Sequence, residues 1–566
     1  MNTPPFNKKQ KMMKKINLLL CLLFLSCNIN LFAQGNEIDA YTLSNTELGG
    51  TARSISMGGA FGALGGDISV ISNNPAGLGI YRSSEISGSL DLNMVKTSTN
   101  WIGSKTDQSK TKFAPNNFGF ELYFPTSSGT VRNWNLGFSY NRVKNFNRRY
   151  RMENNGQPYS MADYIATRAT NAFVDDKGYY GIPEADLIYR QTVYDPYNNS
   201  NLSGHWLPIL GYESGMYGNM IVGGNDGVYQ SAFGQERGNN WGTYSPKKSL
   251  LSVVESGSMD EYNIGFGMNI SNFLFLGASV SITDINYKYR SGYDELFDNP
   301  QYAKDDNLYL QNWLSTEGTA LSLNIGAIVN LQMLRFGVAY NSPRWYDLTD
   351  YYDATGGTYI SGFDDPKMES ATPEGSYSEY KFHTPGKWIF SAATIVGQSA
   401  LLSVDYELMN FKNMRYSINS HSNGDVNLSA NDHIDEDFTW SQTLKLGAEI
   451  KINPQFAVRA GYMMQTSPMK EQLYNNDVEV YPSGTIPHFT VTSNPTHFFT
   501  AGFGYRFTPN FSIDLACVFK YNKADAYAFS NTYYDEPDYD IAPIPAMPAE
   551  LITKSTRVVM TLGYKF

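Results

Sequence analysis

The side chains able to do chemistry are few and poorly assembled. The six histidines are His205, His383, His421, His433, His488 and His497. None stands in the HxxxH or HExxH spacing that brings metal ligands onto one helix face. The three cysteines are Cys21, Cys27 and Cys517, and the first two lie in an N-terminal export segment. A mature chain with one cysteine has no intramolecular disulfide, no cysteine zinc site and no CxxC redox pair. The run Asp432-His433-Ile434-Asp435-Glu436-Asp437 offers oxygen ligands for a divalent cation, but a solvated acidic loop is the plainer reading. Asp405 and Glu407 share a strand face at i, i+2. Paired carboxylates can do acid–base work, although structural charge is the commoner use. Gly59, Gly62 and Gly65 recur every third residue, which is neither GxGxxG nor GxxxxGK[ST], so no phosphate loop is expected. With no GxSxG and no local Ser/His/Asp group, the reading is of a non-enzyme, with no catalytic residue, cofactor or metal site.

The elements that hold these residues are strands behind an export signal. Charged residues make up 17% of the 566, and the balance shifts to 49 Gly, 41 Tyr and 32 Phe. That mixture is poor for helices and suits strands. A net charge of −11 excludes a nucleic-acid binder, which needs a basic surface. Residues 1–34 read as a signal peptide, with Lys8, Lys9, Lys11, Lys14 and Lys15 before the apolar Leu18–Leu25 and a cut near Ala33 or Gln34. Lipidation at Cys27 is the rival, with Phe24-Leu25-Ser26 before it a poor lipobox. No later run of 18 apolar residues follows, so membrane passage, if any, falls to strands.

The last ten residues alternate. Val558, Met560, Leu562, Tyr564 and Phe566 share one face, as side chains do along a strand. The terminal Phe, with Tyr564, resembles the signal by which the barrel-assembly machinery recognises bacterial outer-membrane barrels. The same period gives fourteen strands, at about 85–95, 117–125, 134–142, 260–270, 274–284, 319–331, 334–341, 388–396, 400–411, 440–452, 456–464, 498–507, 511–520 and 556–566. Most approach the ~9–11 residues of a tilted membrane strand. Short connections such as Ser271-Asn272 alternate with long ones at 96–116, 143–259, 285–318, 342–387, 412–439, 465–497 and 521–555. This rhythm predicts an all-β, antiparallel up-and-down transmembrane barrel of about 14 strands over 85–566, with short periplasmic turns and long extracellular loops.

Residues 35–84 break the strand pattern. They carry Ala52-Arg53-Ser54, then Met57-Gly58-Gly59-Ala60-Phe61, and finally Asn74-Pro75-Ala76-Gly77-Leu78. This series of small residues resembles the N-terminal hatch of the FadL/TodX outer-membrane transporters, nearest in style to members from Bacteroidetes. Asp405-Tyr406-Glu407, Val458-Arg459-Ala460-Gly461-Tyr462 and Gly502-Phe503-Gly504-Tyr505-Arg506-Phe507 match further. The resemblance implies a fourteen-stranded barrel in the outer membrane. Its lumen would be plugged by residues 35–84, which begin in the periplasm, with Arg53 anchoring the plug to the wall. It further implies uptake of hydrophobic small molecules, of the long-chain fatty acid or aromatic class. Capture would occur at outer loops, followed by an internal apolar pocket and lateral exit among outer-membrane lipids.

For such a barrel, the long loop 143–259 offers Met161–Ala166 and Ile182–Ile188 as short helices, and Trp206 and Leu210 as contacts for a lipophile. The lumen-facing set is Glu121, Arg335, Asp405, Glu407, Lys445, Glu449, Lys451, Arg459, Arg506 and Asp514. Arg459 and Arg506 are the candidates for ligand or plug contacts, through charge-assisted hydrogen bonds. Two other readings use the same features: a shuttle or scaffold for a secreted protein cargo, and a general porin.

Overall fold

The computed structural model describes residues 35–566 apart from 128, 176–177, 191–192, 220–226, 238–239, 300–304, 363, 398, 418–428 and 533–543. The expected signal peptide, with Cys21 and Cys27, and also His421 lie outside the described residues. Alternation of side chains carries the chain through fourteen long strands: β1 Glu85–Trp101, β2 Ser104–Pro125, β3 Val131–Asn145, β4 Lys248–Ile270, β5 Leu274–Phe297, β6 Asp306–Leu331, β7 Leu334–Asn341, β8 Lys387–Val396, β9 Ala400–Asn410, β10 Trp440–Lys451, β11 Phe456–Gln465, β12 Thr496–Arg506, β13 Phe511–Tyr527 and β14 Ala549–Lys565. Each pairs antiparallel with its neighbour in sequence. β1 and β14 close the ring, from Glu85↔Lys565 to Trp101↔Ala549.

The outward faces are apolar. Ile86, Leu90, Leu92 and Met94 of β1 are exposed, as are Tyr262, Ile264 and Phe266 of β4 and Val280 and Ile282 of β5. The faces turn polar at Lys96, Asp260 and Asp284, which marks one edge of a hydrocarbon belt. The inward faces carry Ser, Thr, Asn and charge, including Ser89, Asp91, Asn93, Asn263, Ser281 and Thr283. Tyr564 and Phe566 stand outward at the short-turn end, with their rings 6.4 Å apart.

All fourteen expected strands are present, and most run further than expected at the long-loop end. β5 and β6 have 24 and 26 residues, well over the ~9–11 needed to cross. The predicted connection 96–116 is almost all strand, closed by Ile102 and Gly103 at φ 48° and 86°. The connection 285–318 shrinks likewise. Beyond the belt β2 is polar on both faces, whereas β5 and β6 turn their apolar face inward, with Ile285, Tyr287 and Tyr289 on one and Leu308, Leu310 and Leu314 on the other, so the outward apolar stripe ends while the pairing continues.

Above the belt the long connections share a hydrophobic core. It gathers α4 Met161–Thr170, α5 Glu184–Leu187 and α6 Trp206–Glu213 with Tyr293, Phe297, Leu310, Tyr352, Phe411 and Phe438. α4 begins with a capping box, in which Ser160 caps the helix and Asp163 reaches back to the Ser160 N–H at 2.8 Å.

Candidate functional site

Residues 35–84 run inside the ring. α1 Glu37–Ser44 lies in the cap, with the Tyr416 hydroxyl donating to Asn36 O at 3.0 Å and Asn36 Nδ2 donating to Tyr481 O at 3.0 Å. The segment therefore starts in the outer half, not in the periplasm, because its first helix buries Ile38, Ala40 and Leu43 in the cap core. It descends through Glu47–Gly50 to α2 Ala52–Ser56, rises to α3 Val70–Asn73, where Ser72 O accepts from Asn341, and drops again through a 3₁₀ turn, Pro75–Ile80, to the short-turn end beside Asn133 and Met268.

Asn74, Pro75 and Ala76 earn their places geometrically. Asn74 Oδ1 accepts from Ala76 N at 3.2 Å to cap the 3₁₀ turn, Pro75 supplies its fixed φ at the first position, and Asn74 Nδ2 donates to Gly62 O at 2.6 Å. Met57 and Gly58 lie flat against Gly447 and Gly461 of the wall. A Cβ at Gly461 would stand 2.2 Å from Gly58 N, and one at Gly447 would stand 2.6 Å from Met57 O. Phe61 is buried, and Leu78 seats the segment on another part of the wall, against Gly137 of β3 and Gly265 and Gly267 of β4, with Gly77 buried against Gly65 and Val70. The wall answers with Asp405 accepting from Gly62 N at 2.9 Å and Arg335 donating to Leu64 O at 2.9 Å.

Toward the short turns, charge ties the segment to the wall. Arg53 meets Glu449 at 3.2 Å and sits 5.5 Å over the Phe61 ring. Glu449 also binds Arg459 at 2.6 Å, and Arg459 reaches Asp514 at 2.5 Å. Arg459 is thus committed to two carboxylates. Arg506 and Lys451 line a basin of about 280 Å3 at the short-turn mouth. Glu407 holds Lys445 at 2.6 Å and Lys387 at 3.6 Å, and Glu121 accepts from Asn135. Trp206 and Leu210 are fully buried in the cap, with Trp206 packed edge-on against Tyr197 and Tyr352.

The wall has a break that sequence reading missed. β2 pairs with β3 only from Asn117↔Asn141 to Pro125↔Asn133. Just beyond lies a bulge at Asn116, preceded by Pro115, which has no N–H to donate to a ladder. From Ser104 to Pro115, β2 pairs with β1 alone. β3 meanwhile turns inward and continues as strand Arg148–Asn154, which pairs with β4. Inward-facing Thr97 and Thr99 of β1 donate to Arg149 O and Arg151 O at 2.7 and 2.6 Å, so this strand passes inside the ring. Opposite the bend, Gly257 takes φ 113°, where a Cβ would stand 1.9 Å from Asn286 O.

The N-terminal segment stands behind the break. Glu47 N donates to Val143 O at 2.9 Å, on the β3 edge that β2 has left. From the other side Asn116 Nδ2 donates to Gly50 O at 2.6 Å. Lys144 donates to Thr42 O.

Beside it lies a lumen cavity of about 190 Å3, lined by Tyr41, Glu47, Lys144, Phe146, Arg148, Phe498, Val518, Lys520 and Arg557. Three of its cations are paired: Arg148 with Glu255, Lys520 with Glu47, and Arg557 with Asp91. Lys144 makes no ion pair among the described residues, and its ammonium lies 5.0 Å from the Phe146 ring centroid. The proline within β2 was the one sequence signal for this region. Nothing in the sequence singled out Lys144.

Known proteins can be set beside this geometry. Residues 259–566, more than half of the chain, match the family model described as outer membrane protein transport protein (OMPP1/FadL/TodX). No curated protein matches in sequence. Among solved structures, a Pseudomonas aeruginosa FadL homologue is similar over 92% of this chain and 99% of its own, at 11% identity and a TM-score of 0.48. The toluene transporter TodX of P. putida covers 92% and 99% at 13% identity and 0.46. The Ralstonia pickettii toluene transporter TbuX covers 92% and 98% at 13% identity and 0.44. With its closed fourteen-strand barrel, the chain belongs to the OMPP1/FadL/TodX family of outer-membrane transport proteins, channels for hydrophobic compounds.

Proposed function

We propose that this channel takes up amphiphilic carboxylates, of the long-chain fatty acid class, and releases them sideways between β2 and β3. The observation that carries this reading is the break itself: paired strands on one side, and an inward-bent strand with only plug backbone behind it on the other. An apolar tail gains by leaving directly into hydrocarbon, because it never meets water. The lumen cavity, at about 190 Å3, is smaller than the ~300–1,000 Å3 of whole-ligand pockets. It suits the polar end of an amphiphile, with Lys144 as the cation for its carboxylate.

Residues 35–84 then act as the hatch. Arg53 latches it to Glu449, Met57–Phe61 and Asn74–Leu78 seat it on the wall, and Glu47–Gly50 stopper the exit. Trp206 and Leu210 serve capture by stiffening the cap, and Arg506 stands at the periplasmic exit of the lumen. Tyr564 and Phe566, exposed at the periplasmic edge, are assigned to recognition by the assembly machinery.

The test is equilibrium binding of hexadecanoate to the whole protein in nanodiscs. Lys144→Met is expected to weaken it by about tenfold or more, the scale of a charge-assisted hydrogen bond, and to leave a neutral alkane unaffected. Equal binding of hexadecanoate by both proteins would refute the carboxylate assignment. A second reading, a grip for secreted protein, rests on the exposed Ile188, Tyr189 and Val193 of the cap. Stoichiometric protein cargo co-purifying from native membranes, without a lipophile, would favour it.

A further inference from the structure

A smaller cavity adjoins the lumen cavity on its cap side. It measures about 50 Å3 and is lined by Asp39 of α1, Tyr289 of β5 and His488 of the chain before β12, among others. The two cavities share Thr42, Arg148, Glu255 and Thr490. Thr42 is also the residue whose carbonyl receives Lys144.

His488 is 7% exposed. Its Nδ1 lies 2.6 Å from Ala528 O, which can only accept, so the ring proton sits on Nδ1. Burial pushes its pKa down to about 4, and the neutral ring turns a bare lone pair at Nε2 toward the protein interior. That atom has no hydrogen-bond partner among the described residues. The Tyr289 hydroxyl, on a residue 8% exposed, likewise has no hydrogen-bond partner among the described residues. Buried polar groups are normally satisfied, and two unsatisfied ones lining one cavity mark a place for a guest that hydrogen-bonds.

The guest must give a proton to Nε2 and can accept one from Tyr289. A carboxylate has no proton to give, and Asp39 would repel it. A hydroxyl does both and fits the volume, which exceeds that of a single water. We propose that this cavity is a hydroxyl subsite, so that the preferred cargo is a hydroxylated carboxylate lipophile with its acid at Lys144 and its hydroxyl between His488 and Tyr289. The inference rests on the reading of the lumen as a carboxylate site.

It is tested on the full protein in nanodiscs by measuring binding of hexadecanoate against a series of hydroxyhexadecanoates that carry the hydroxyl at successive positions. At least one isomer is expected to bind about tenfold tighter than hexadecanoate, the scale of a buried hydrogen bond gained. His488→Phe is expected to erase that preference while hexadecanoate affinity stays the same. Tyr289→Phe, which removes a single oxygen and spares the fold, is expected to reduce it. No preference for any isomer, or a preference that survives both substitutions, overturns the subsite. If hexadecanoate itself does not bind, the lumen reading fails first and takes this one with it.

Discussion

At the residue scale, the informative side chains are the buried charges. The sequence placed Glu449, Arg459 and Asp514 inside the lumen because they sit on the non-apolar phase of their strands. Three contiguous ion pairs follow from that phase and from strand pairing, Glu449↔Arg459 being direct register partners. Removing Arg459 leaves Glu449 with Arg53 alone and takes from Asp514 its ion-pair partner. Arg459→Met is expected to destabilise the barrel by about 3–5 kcal/mol, the usual result of orphaning a buried charge, read as a lower urea midpoint, with Arg459→Lys recovering part of it. Lys144, His488 and Tyr289 were not legible. What distinguishes them is that Lys144 has no carboxylate partner and that His488 Nε2 and the Tyr289 hydroxyl have no hydrogen-bond partner among the described residues, and that is fixed by packing between elements hundreds of residues apart in sequence. In the cap, burial pushes Glu37 from 4.5 up to about 8, with Asp437 and Asp39 adding to it. Between those values the released helix ionises while the docked one stays protonated, so docking of α1 is strongest below about 4.5 and weakens as pH rises through about 8. Hydrogen exchange across residues 36–44 should quicken over that range, and Glu37→Gln should flatten the dependence.

At the element scale, strand phase was readable wherever one face met lipid, and it faded where both faces were polar, as in β2, or where the apolar face turned inward, as in β5 and β6. Hence β2 was found from Asn117 onward but not from Ser104. The inward bend of β3 was hidden because Arg148–Asn154 exchanges lipid contact for contact with β1 and β4, and its two buried apolar residues, Tyr150 and Met152, are too few to set a phase. The stopper behind the break gives a direct prediction. With Cys517→Ser as background, Glu47→Cys with Val143→Cys joins two positions already linked by a backbone hydrogen bond. The disulfide is expected to form without loss of folded barrel, to stop release of lipophile from the lumen, and to restore it when reduced. Normal release by the oxidised protein would show that the segment does not gate the exit.

At the scale of the whole molecule, strand number, pairing order and closure were all legible, because a barrel repeats one simple pattern fourteen times. The path of the N-terminal segment was not, since small residues carry no phase. If it acts as a seal, deleting residues 35–84 should leave a folded barrel and turn a poorly conducting protein into an open pore in planar bilayers. Unchanged conductance would place the seal in the cap. The same path constrains how the molecule is made. The segment precedes every strand in synthesis, yet several of its anchors come last: Glu449 lies 396 residues beyond Arg53, Thr561 lies 509 beyond Ala52, and Arg557 lies 509 beyond Leu48. Contacts of such separation form late and slowly. A closed ring would have to admit a chain that runs into its outer half and returns, so the seam between β1 and β14 must zip around a plug already threaded. Assembly of this barrel is therefore an encapsulation, with the segment before the first strand waiting for the last.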